Sequence, residues 1–179
     1  MSTSLEEANT ARLVAGLREN MLDAVFLRSE ALEGDDLELR PISDEPMLVV
    51  LPASHPAARS AKVDLIRLRD DALILTPRGV GQTLFDTVIS TCRQAGFEPV
   101  LGQLAPQLGS VINLVAAELG FSMVPASMRQ LRVTGVAYRE VKGMTPIAKL
   151  ALALRRGETS GIVRNFITRV TEAGMVNAS

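Results

Sequence analysis

The apolar residues of this 179-residue chain alternate between strand-like and helix-like spacings along nearly its whole length. Short apolar runs typical of buried strands are followed by stretches in which apolar residues recur every three or four positions, as on one face of a helix. Strands and helices that alternate in this way pack into an α/β fold. The sequence therefore predicts an α/β protein with mainly parallel sheets.

Twelve segments follow this pattern. Four are predicted helices: residues 10–19 with Thr10 as N-cap, 82–95 ended by Gly96, 107–119 ended by Gly120, and 160–173. Eight are predicted strands: residues 22–27, 37–42, 46–52, 72–76, 99–104, 121–125, 136–141 and 147–155. Ligands of α/β proteins bind beyond the carboxyl ends of strands, beside helix N-termini. The loop after residues 72–76 and the helix start at Asn9 and Thr10 are therefore the candidate ligand sites.

Charge and cysteine content exclude several functional classes. The net charge is -1 and no basic stripe or patch is visible, so the chain lacks the signature of a nucleic-acid groove. A single cysteine cannot form an internal disulfide, and no signal peptide is recognisable at the N-terminus. No apolar run reaches the ~20 residues of a membrane-spanning helix. These features predict a soluble cytoplasmic protein with no membrane partner.

The chain offers little catalytic chemistry. The acidic run EGDDLELR, residues 33–40, is predicted to be a solvated turn rather than a metal site, because no histidine or cysteine lies near it. His55, in ASHPAA, is predicted to lie in a turn, and Cys92, on the apolar stripe of its helix, to be packed in the core. The sequence thus predicts no catalytic residues, no metal site and no cofactor.

The segment TPRGVGQT, residues 76–83, resembles a nucleotide-binding P-loop in outline. A P-loop surrounds phosphates with glycine N–H groups, neutralises them with a lysine and binds Mg²⁺ through a Ser or Thr hydroxyl. Gly81 and Thr83 stand at matching positions. However, Gln82 stands at the lysine position and Thr76 at that of the first glycine. The loop is therefore predicted not to bind a nucleotide.

Two interpretations of this loop stay open. The free N–H groups at a helix start favour a carboxylate or another small anion. Gly79 and Gly81 permit close backbone approach, and Gln82 and Thr83 add hydrogen-bonding side chains. Arg78 either neutralises such an anion or faces water. Alternatively, the loop is an ordinary strand-to-helix turn that needs glycine for its backbone dihedrals.

Four segments, in this order, resemble the effector-binding domain of LysR-type transcriptional regulators. They are LEEANTARLVAGLRENMLDAVFLR (residues 5–28), EPMLVVLPASHPAA (45–58), GSVINLVAAELGFSMVPAS (109–127) and PIAKLALALRRGETSGIVRNFI (146–167). The second is similar to the family's lobe-crossing strand with its His-Pro turn, and the fourth to its closing strand and last helix. The resemblance extends from residue 5 to residue 173 and departs at Glu118, where the family often has glycine.

The resemblance implies two α/β lobes of the periplasmic-binding-protein type (type 2), joined by two crossover segments, with a small organic effector in the cleft between them. Lobe one would comprise residues 1–44 and 142–179, lobe two residues 55–132, and the crossovers residues 45–54 and 133–141.

The resemblance also implies which residues bind the effector. Backbone N–H groups from Gly79 to Thr83 and the Thr10 hydroxyl would bind a carboxylate, while Leu84 and Pro125 would contact an apolar body. The full set is Thr10, Arg78, Gly79, Val80, Gly81, Gln82, Thr83, Leu84, Gln107, Ser110 and Pro125.

Members of this family begin with a winged helix-turn-helix, a linker helix and a first strand and helix of lobe one, none of which is recognisable in this chain. The resemblance thus implies a truncated or separately expressed regulatory domain whose lobe one is truncated at its N-terminus. DNA binding would depend on the absent winged helix. A homodimer or tetramer is expected of the full-length regulator and is in doubt for this chain, because the missing helix usually contributes to the dimer.

Two other functions are weighed against this hypothesis. A solute-binding protein for transport has the same two-lobe fold, but it would carry a signal peptide. An enzyme that holds a phosphate on residues 79–83 would need the missing lysine and an acid–base pair. The preferred hypothesis is a non-enzymatic domain that senses a small, carboxylate-bearing effector.

Overall fold

The computed structural model describes residues 8–28 and 36–176, and the chain divides into two compact units. Unit 1 comprises Met1–Asp44 and Lys149–Ser179, and unit 2 comprises Glu45–Ala148. The strands Leu37–Pro52 and Ile147–Arg155 pass from one unit into the other. Residues 142–148, which were predicted to belong to lobe one, are part of unit 2.

The helices and strands lie close to the predicted positions. The helices are α1 (Thr10–Arg18), α2 (Gln82–Gln94), α3 (Leu108–Ala116) and α4 (Gly161–Val176), with short 3-10 helices at Pro56–Arg59, Leu65–Leu68 and Ala126–Leu131. The strands are β1 (Val25–Leu27), β2 (Leu37–Pro52), β3 (Lys62–Val63), β4 (Ala72–Leu75), β5 (Val100–Leu104), β6 (Ser122–Pro125), β7 (Val136–Val141) and β8 (Ile147–Arg155). Within the described residues, no helix combines the length and the apolarity needed to cross a bilayer.

Unit 1 has helices packed on both faces of its strands. In β8, which lies between β1 and β2, successive side chains point to opposite faces. Ala153 therefore belongs to the buried cluster that contains Leu17 of α1, whereas Leu152 and Leu154 join Val163 of α4.

The N-cap of α1 is Asn9, and the prediction of Thr10 was wrong. The Asn9 side chain accepts a hydrogen bond from the backbone N–H of Arg12 at 2.9 Å, and its backbone is extended, as an N-cap requires. Thr10 is the first helical residue. Asn and Thr are both common N-cap residues, so the sequence distinguishes only weakly between Asn9 and Thr10.

Unit 2 packs α2 and α3 against separate clusters of buried residues. Val88 and Cys92 of α2 pack in one cluster with Phe121 and Met123. The second cluster joins α3 to β4 and β6, and it contains Val111, Ile112, Val115, Ile74 and Val124. Strands covered by helices on both faces read as continuous apolar runs, as residues 72–75 do.

The prediction of mainly parallel sheets was wrong. β1 pairs antiparallel with β8, and β2 pairs antiparallel with both β6 and β7, whereas β3–β7 and β4–β5 are parallel. β2 carries the chain into unit 2, and β8 carries it out. β7, the strand before β8, lies beside β2 and runs in the opposite direction. The alternation of strands and helices does not reveal the direction of such a pair.

β2 is one strand of 16 residues rather than the two that were predicted. Pro41 and Pro46 lie inside it, because proline favours an extended backbone and removes only one hydrogen-bond donor from the ladder. The solvated turn predicted for residues 33–40 was wrong for residues 37–40, which begin this strand with Leu37 buried. Residues 33–35 lie outside the described residues.

Among the glycines that the structure describes, Gly120 is the one whose replacement we expect to be most damaging. Its φ is +146°, and an added Cβ would lie 2.0 Å from the Ala72 carbonyl oxygen. We expect Gly120→Ala to lower the free energy of unfolding by about 3 kcal/mol or more, because backbone strain and overpacking add.

Gly143→Ala is the matched control, because Gly143 also has a positive φ, +80°, but an added Cβ would meet nothing within 4 Å. Its expected cost is about 1–2 kcal/mol, from strain alone. Urea unfolding of both variants measures the difference. Equal losses would show that close approach at Ala72 contributes nothing.

Candidate functional site

Ten of the eleven predicted site residues lie at or beyond the carboxyl ends of three strands of unit 2 that run in the same direction. β4 pairs parallel with β5, and a parallel bridge between Leu73 and Phe121 places β4 beside the start of β6. The carboxyl ends of parallel neighbours meet at one edge. The segments that leave this edge are the loop of residues 78–84, the α3 start with Gln107 and Ser110, and Pro125 at the end of β6.

Thr10, the eleventh residue, lies in unit 1. It is the first residue of α1 and is half-buried.

Two helix starts at the edge formed by β4, β5 and β6 have no side-chain cap. The N-cap of α2 is Gly81, which has no side chain, and the N-cap of α3 is Gln107, whose side chain makes no capping hydrogen bond to the described residues. The first N–H groups of a helix have no partner within the helix and carry a partial positive charge. The edge therefore presents two sets of N–H groups suited to an anion.

The glycines of the loop are not required by its backbone. Neither Gly79 nor Gly81 belongs to the glycines with positive φ, and the φ of Gly81 is -147°. An added Cβ would meet nothing within 4 Å at Gly79, and only the Thr76 Oγ1 at 3.6 Å, an ordinary contact, at Gly81. The interpretation that the turn needs glycine for its dihedrals is therefore wrong. What the two glycines provide is open space beside the α2 start.

Arg78 does not simply face water, as one of the two alternatives had it. Its Nε and Nη2 atoms each donate to a carboxylate oxygen of Asp86 at 2.8 Å. These hydrogen bonds hold the pKa of Asp86 below its ordinary value of 3.8. The pair was missed because its members lie eight residues apart, in the loop and in α2, and no local pattern links them.

A third helix start at the edge is already bound to a carboxylate of the chain. The backbone N–H of Ser127, in the 3-10 helix Ala126–Leu131, donates to the carboxylate of Glu45 in β2. Pro125, the N-cap of this helix, is buried and opposite Met47 in the β2–β6 register. Glu45 was not predicted, because it lies 82 positions from Ser127 in the sequence.

His55 and Cys92 have the structural roles that were predicted. The His55 Nδ1 accepts from the backbone N–H of Ala57 at 3.1 Å and so caps the 3-10 helix Pro56–Arg59. Its Nε2 lies 3.5 Å from an Asp71 carboxylate oxygen, a partner that the sequence did not indicate. Cys92 is fully buried, and burial raises the pKa of its thiol to about 11.

Comparison with known proteins identifies the family. The family described as the LysR substrate binding domain matches residues 1–174. The chain belongs to this family. The resemblance to LysR-type effector-binding domains is thereby confirmed.

A curated relative agrees with this assignment. The HTH-type transcriptional regulator BudR of Raoultella terrigena is 32% identical over 161 residues, which cover 90% of this chain and 56% of BudR. The chain thus spans little more than half the length of this curated relative.

Solved structures confirm the fold of the LysR substrate-binding domain. The BenM effector binding domain with its effector benzoate has a TM-score of 0.81 at 22% identity, covering 96% of this chain and 78% of that domain. The Corynebacterium glutamicum OxyR C206 mutant has a TM-score of 0.79 at 25% identity, covering 94% of this chain and 53% of OxyR. The predicted type 2 periplasmic-binding-protein fold is therefore confirmed.

The Arg78–Asp86 pair should be detectable in an acid titration of the Asp86 carboxyl. Because the pKa of Asp86 is lowered in the folded state, the pair contributes stability above the ordinary value of 3.8 and loses it as the pH falls through the lowered value. We expect NMR titration of the Asp86 carboxyl to give a midpoint below 3.8 and Arg78→Gln to return it toward 3.8. An unchanged midpoint would show that the hydrogen bonds are not formed in solution.

The burial of Cys92 makes a prediction for thiol chemistry. With a pKa of about 11, about one thiol in a thousand is ionised at pH 8, and the side chain is not exposed. We expect a disulfide reagent to label the folded protein at least ~100-fold more slowly than the urea-unfolded protein. Absorbance of the released thiol measures both rates. Comparable rates would contradict the buried position.

Proposed function

We propose that this domain binds a small, carboxylate-bearing organic molecule and thereby regulates a LysR-type transcription factor in the cytoplasm. The observation that carries the proposal is the edge of unit 2 at which α2 and α3 start without side-chain caps. The open space at Gly79 and Gly81 supports it, because the fold itself does not require these glycines. Family membership supports a regulatory use of such a site.

The chemistry of this edge suits a carboxylate with an apolar body. A carboxylate at a helix start gains about 0.3–1 kcal/mol from the helix dipole, and about 2 kcal/mol in sheltered geometries. Within the loop, the N–H groups of Val80 and Gly81 already donate to the Pro77 carbonyl oxygen. Each hydrogen bond to the effector from the N–H groups of Gly79, Gln82 and Thr83, or from the side chains of Gln82, Thr83 or Ser110, adds about 0.5–1.5 kcal/mol. Leu84, half-buried in the first turn of α2, is our proposed contact for the apolar part of the effector.

We further propose that the Thr10 hydroxyl contributes to effector binding. Support for Thr10 comes from the family resemblance and from its position at a helix start. A ligand shifts a conformational equilibrium only by its differential affinity for the two states. Moving a population from 1:99 to 99:1 takes about 5.5 kcal/mol of such differential affinity.

The whole regulator would use a second domain to bind DNA and would act as a homodimer or tetramer. The DNA-binding part of this proposal rests on the relatives, since BudR is named an HTH-type transcriptional regulator, and the oligomeric part rests on the family resemblance. The naming of relatives as transcriptional regulators also favours regulation over transport.

A mechanism based on thiol oxidation is the alternative that the single cysteine, Cys92, raises. The buried position of Cys92 and the raised pKa of its thiol disfavour this mechanism here. The sequence holds a single cysteine, so an internal disulfide cannot form. Small-molecule binding is therefore the better-supported mode.

Thermal unfolding with a panel of organic acids (acetate, pyruvate, benzoate) tests the proposal. A bound acid at about 100 times its Kd adds about 2.7 kcal/mol, which corresponds to a rise of about 5–10 °C in Tm for a protein of this size. We expect Gly81→Val and Thr10→Ala each to weaken the rise, because the first fills the loop and the second removes the hydroxyl.

Matched controls separate binding from stability. Gly161→Val changes another glycine at a helix start with open space around it, and Thr168→Ala removes another helical hydroxyl of unit 1. Neither control substitution should change the rise in Tm that an organic acid produces. The proposal fails if no acid stabilises this chain or a longer chain that contains it, or if Gly81→Val responds like the unsubstituted protein.

A further inference from the structure

Helix α2 carries an arginine–carboxylate pair near each end, and the two pairs have the same geometry. Arg78 donates to both carboxylate oxygens of Asp86, and Arg93 donates to both of Glu98, with all four distances at 2.8 Å. All four side chains are largely exposed. The pairs differ in position, because Arg78 precedes the helix start whereas Arg93 lies in its last turn.

The position of the first pair makes it relevant to the candidate site. Arg78 is the only charged residue from position 72 to position 85. It lies in the loop with Gly79 and Gly81, between the carboxyl end of β4 and the α2 start. Asp86, the fifth residue of α2, is therefore the carboxylate that offsets the only full positive charge of the loop.

Two features of the sequence thus remove positive charge from an otherwise anion-binding geometry. Gln82 stands where a phosphate-binding loop of similar outline has lysine, and Asp86 neutralises Arg78. What remains for a ligand is the partial charge of the N–H groups, which suits one carboxylate but is weak for phosphate or sulfate.

We propose that Asp86 is a specificity-determining residue, which offsets the charge of Arg78 and so lowers the preference of the loop for doubly charged anions over singly charged carboxylates. This inference rests on the proposed function, since it assumes that an anion binds at the loop. Asp86 acts through Arg78 and does not itself contact the effector.

The expected size of the effect follows from Coulomb's law. Removing one unit charge about 7 Å from a bound anion, at an effective dielectric constant of about 60, changes the affinity about fourfold per unit of ligand charge at low salt. Asp86→Asn should therefore strengthen acetate binding about fourfold and sulfate binding about fifteenfold. The ratio of sulfate affinity to acetate affinity should therefore rise about fourfold.

The experiment titrates acetate and sulfate at low ionic strength and follows the backbone amide signals of residues 79–84 by NMR. Glu98→Gln is the matched control, because it removes the same charge from an equivalent pair at the far end of α2. We expect it to leave both affinities within about twofold. The double change Arg78→Gln with Asp86→Asn should lose the gain, because it also removes the released cation.

Each other outcome overturns the inference. Equal gains in Asp86→Asn and Glu98→Gln would show a general effect of net charge. Unchanged or weaker sulfate binding in Asp86→Asn would show that the pair does not limit the loop. If neither anion shifts these amides in any variant, the loop does not bind anions, whereas stabilisation by an organic acid that depends on Thr10 would preserve the proposed function.

Discussion

The parallel alignment of β4 with β5 and β6 is the constraint on which the candidate site depends. The neighbouring segments lie close to Ala72 because glycines face it, and this makes the alignment possible. An added Cβ at Gly102 of β5 would lie 3.0 Å from the Ala72 Cβ, and one at Gly120, just before β6, would lie 2.0 Å from its carbonyl oxygen. Hydrogen bonds then fix the register, with Phe121 N–H donating to Ala72 and Ala105 N–H to Leu75. Because three strands end together, the segments that follow them begin at one edge.

The helix starts are placed by packing, and their chemistry is set by their caps. α2 and α3 are held by different buried clusters, so their axes are fixed by many apolar contacts away from the edge. Replacing one residue at the loop therefore has little leverage on where the N–H groups lie. Gly81 and Gln107 leave these groups uncapped, whereas Glu45 satisfies the third start. The core and the site can thus vary almost independently.

The predictable part of this structure is the part determined by neighbours in the sequence. Helical spacing placed α2 within one residue of its observed end, because a helix is built from contacts three and four positions apart. The direction of β2 against β6 and β7, and its continuity through Pro41, depend on partners far along the chain. Sequence periodicity contains no information about such partners.

The same division holds for the candidate site. Its glycine-lined loop is visible in the sequence because it joins a strand pattern to a helix pattern. The residues around it came from the family resemblance rather than from spacing. The Arg78–Asp86 and Glu45–Ser127 contacts were missed, because each depends on the fold bringing separated groups together. These missed contacts are the ones that set the charge of the edge.

A sensor gains from a nearly neutral binding loop. Attraction by a full positive charge acts on every anion and falls with salt, so it raises affinity without distinguishing one small acid from another. Hydrogen bonds from fixed N–H groups depend on the position of each acceptor, and discrimination requires a difference between ligands rather than affinity for all of them. A conformational switch has the same requirement, since only the difference in affinity between two states moves a population. If the effector binds at this loop as proposed, pairing Arg78 within the protein favours selectivity over strength of binding.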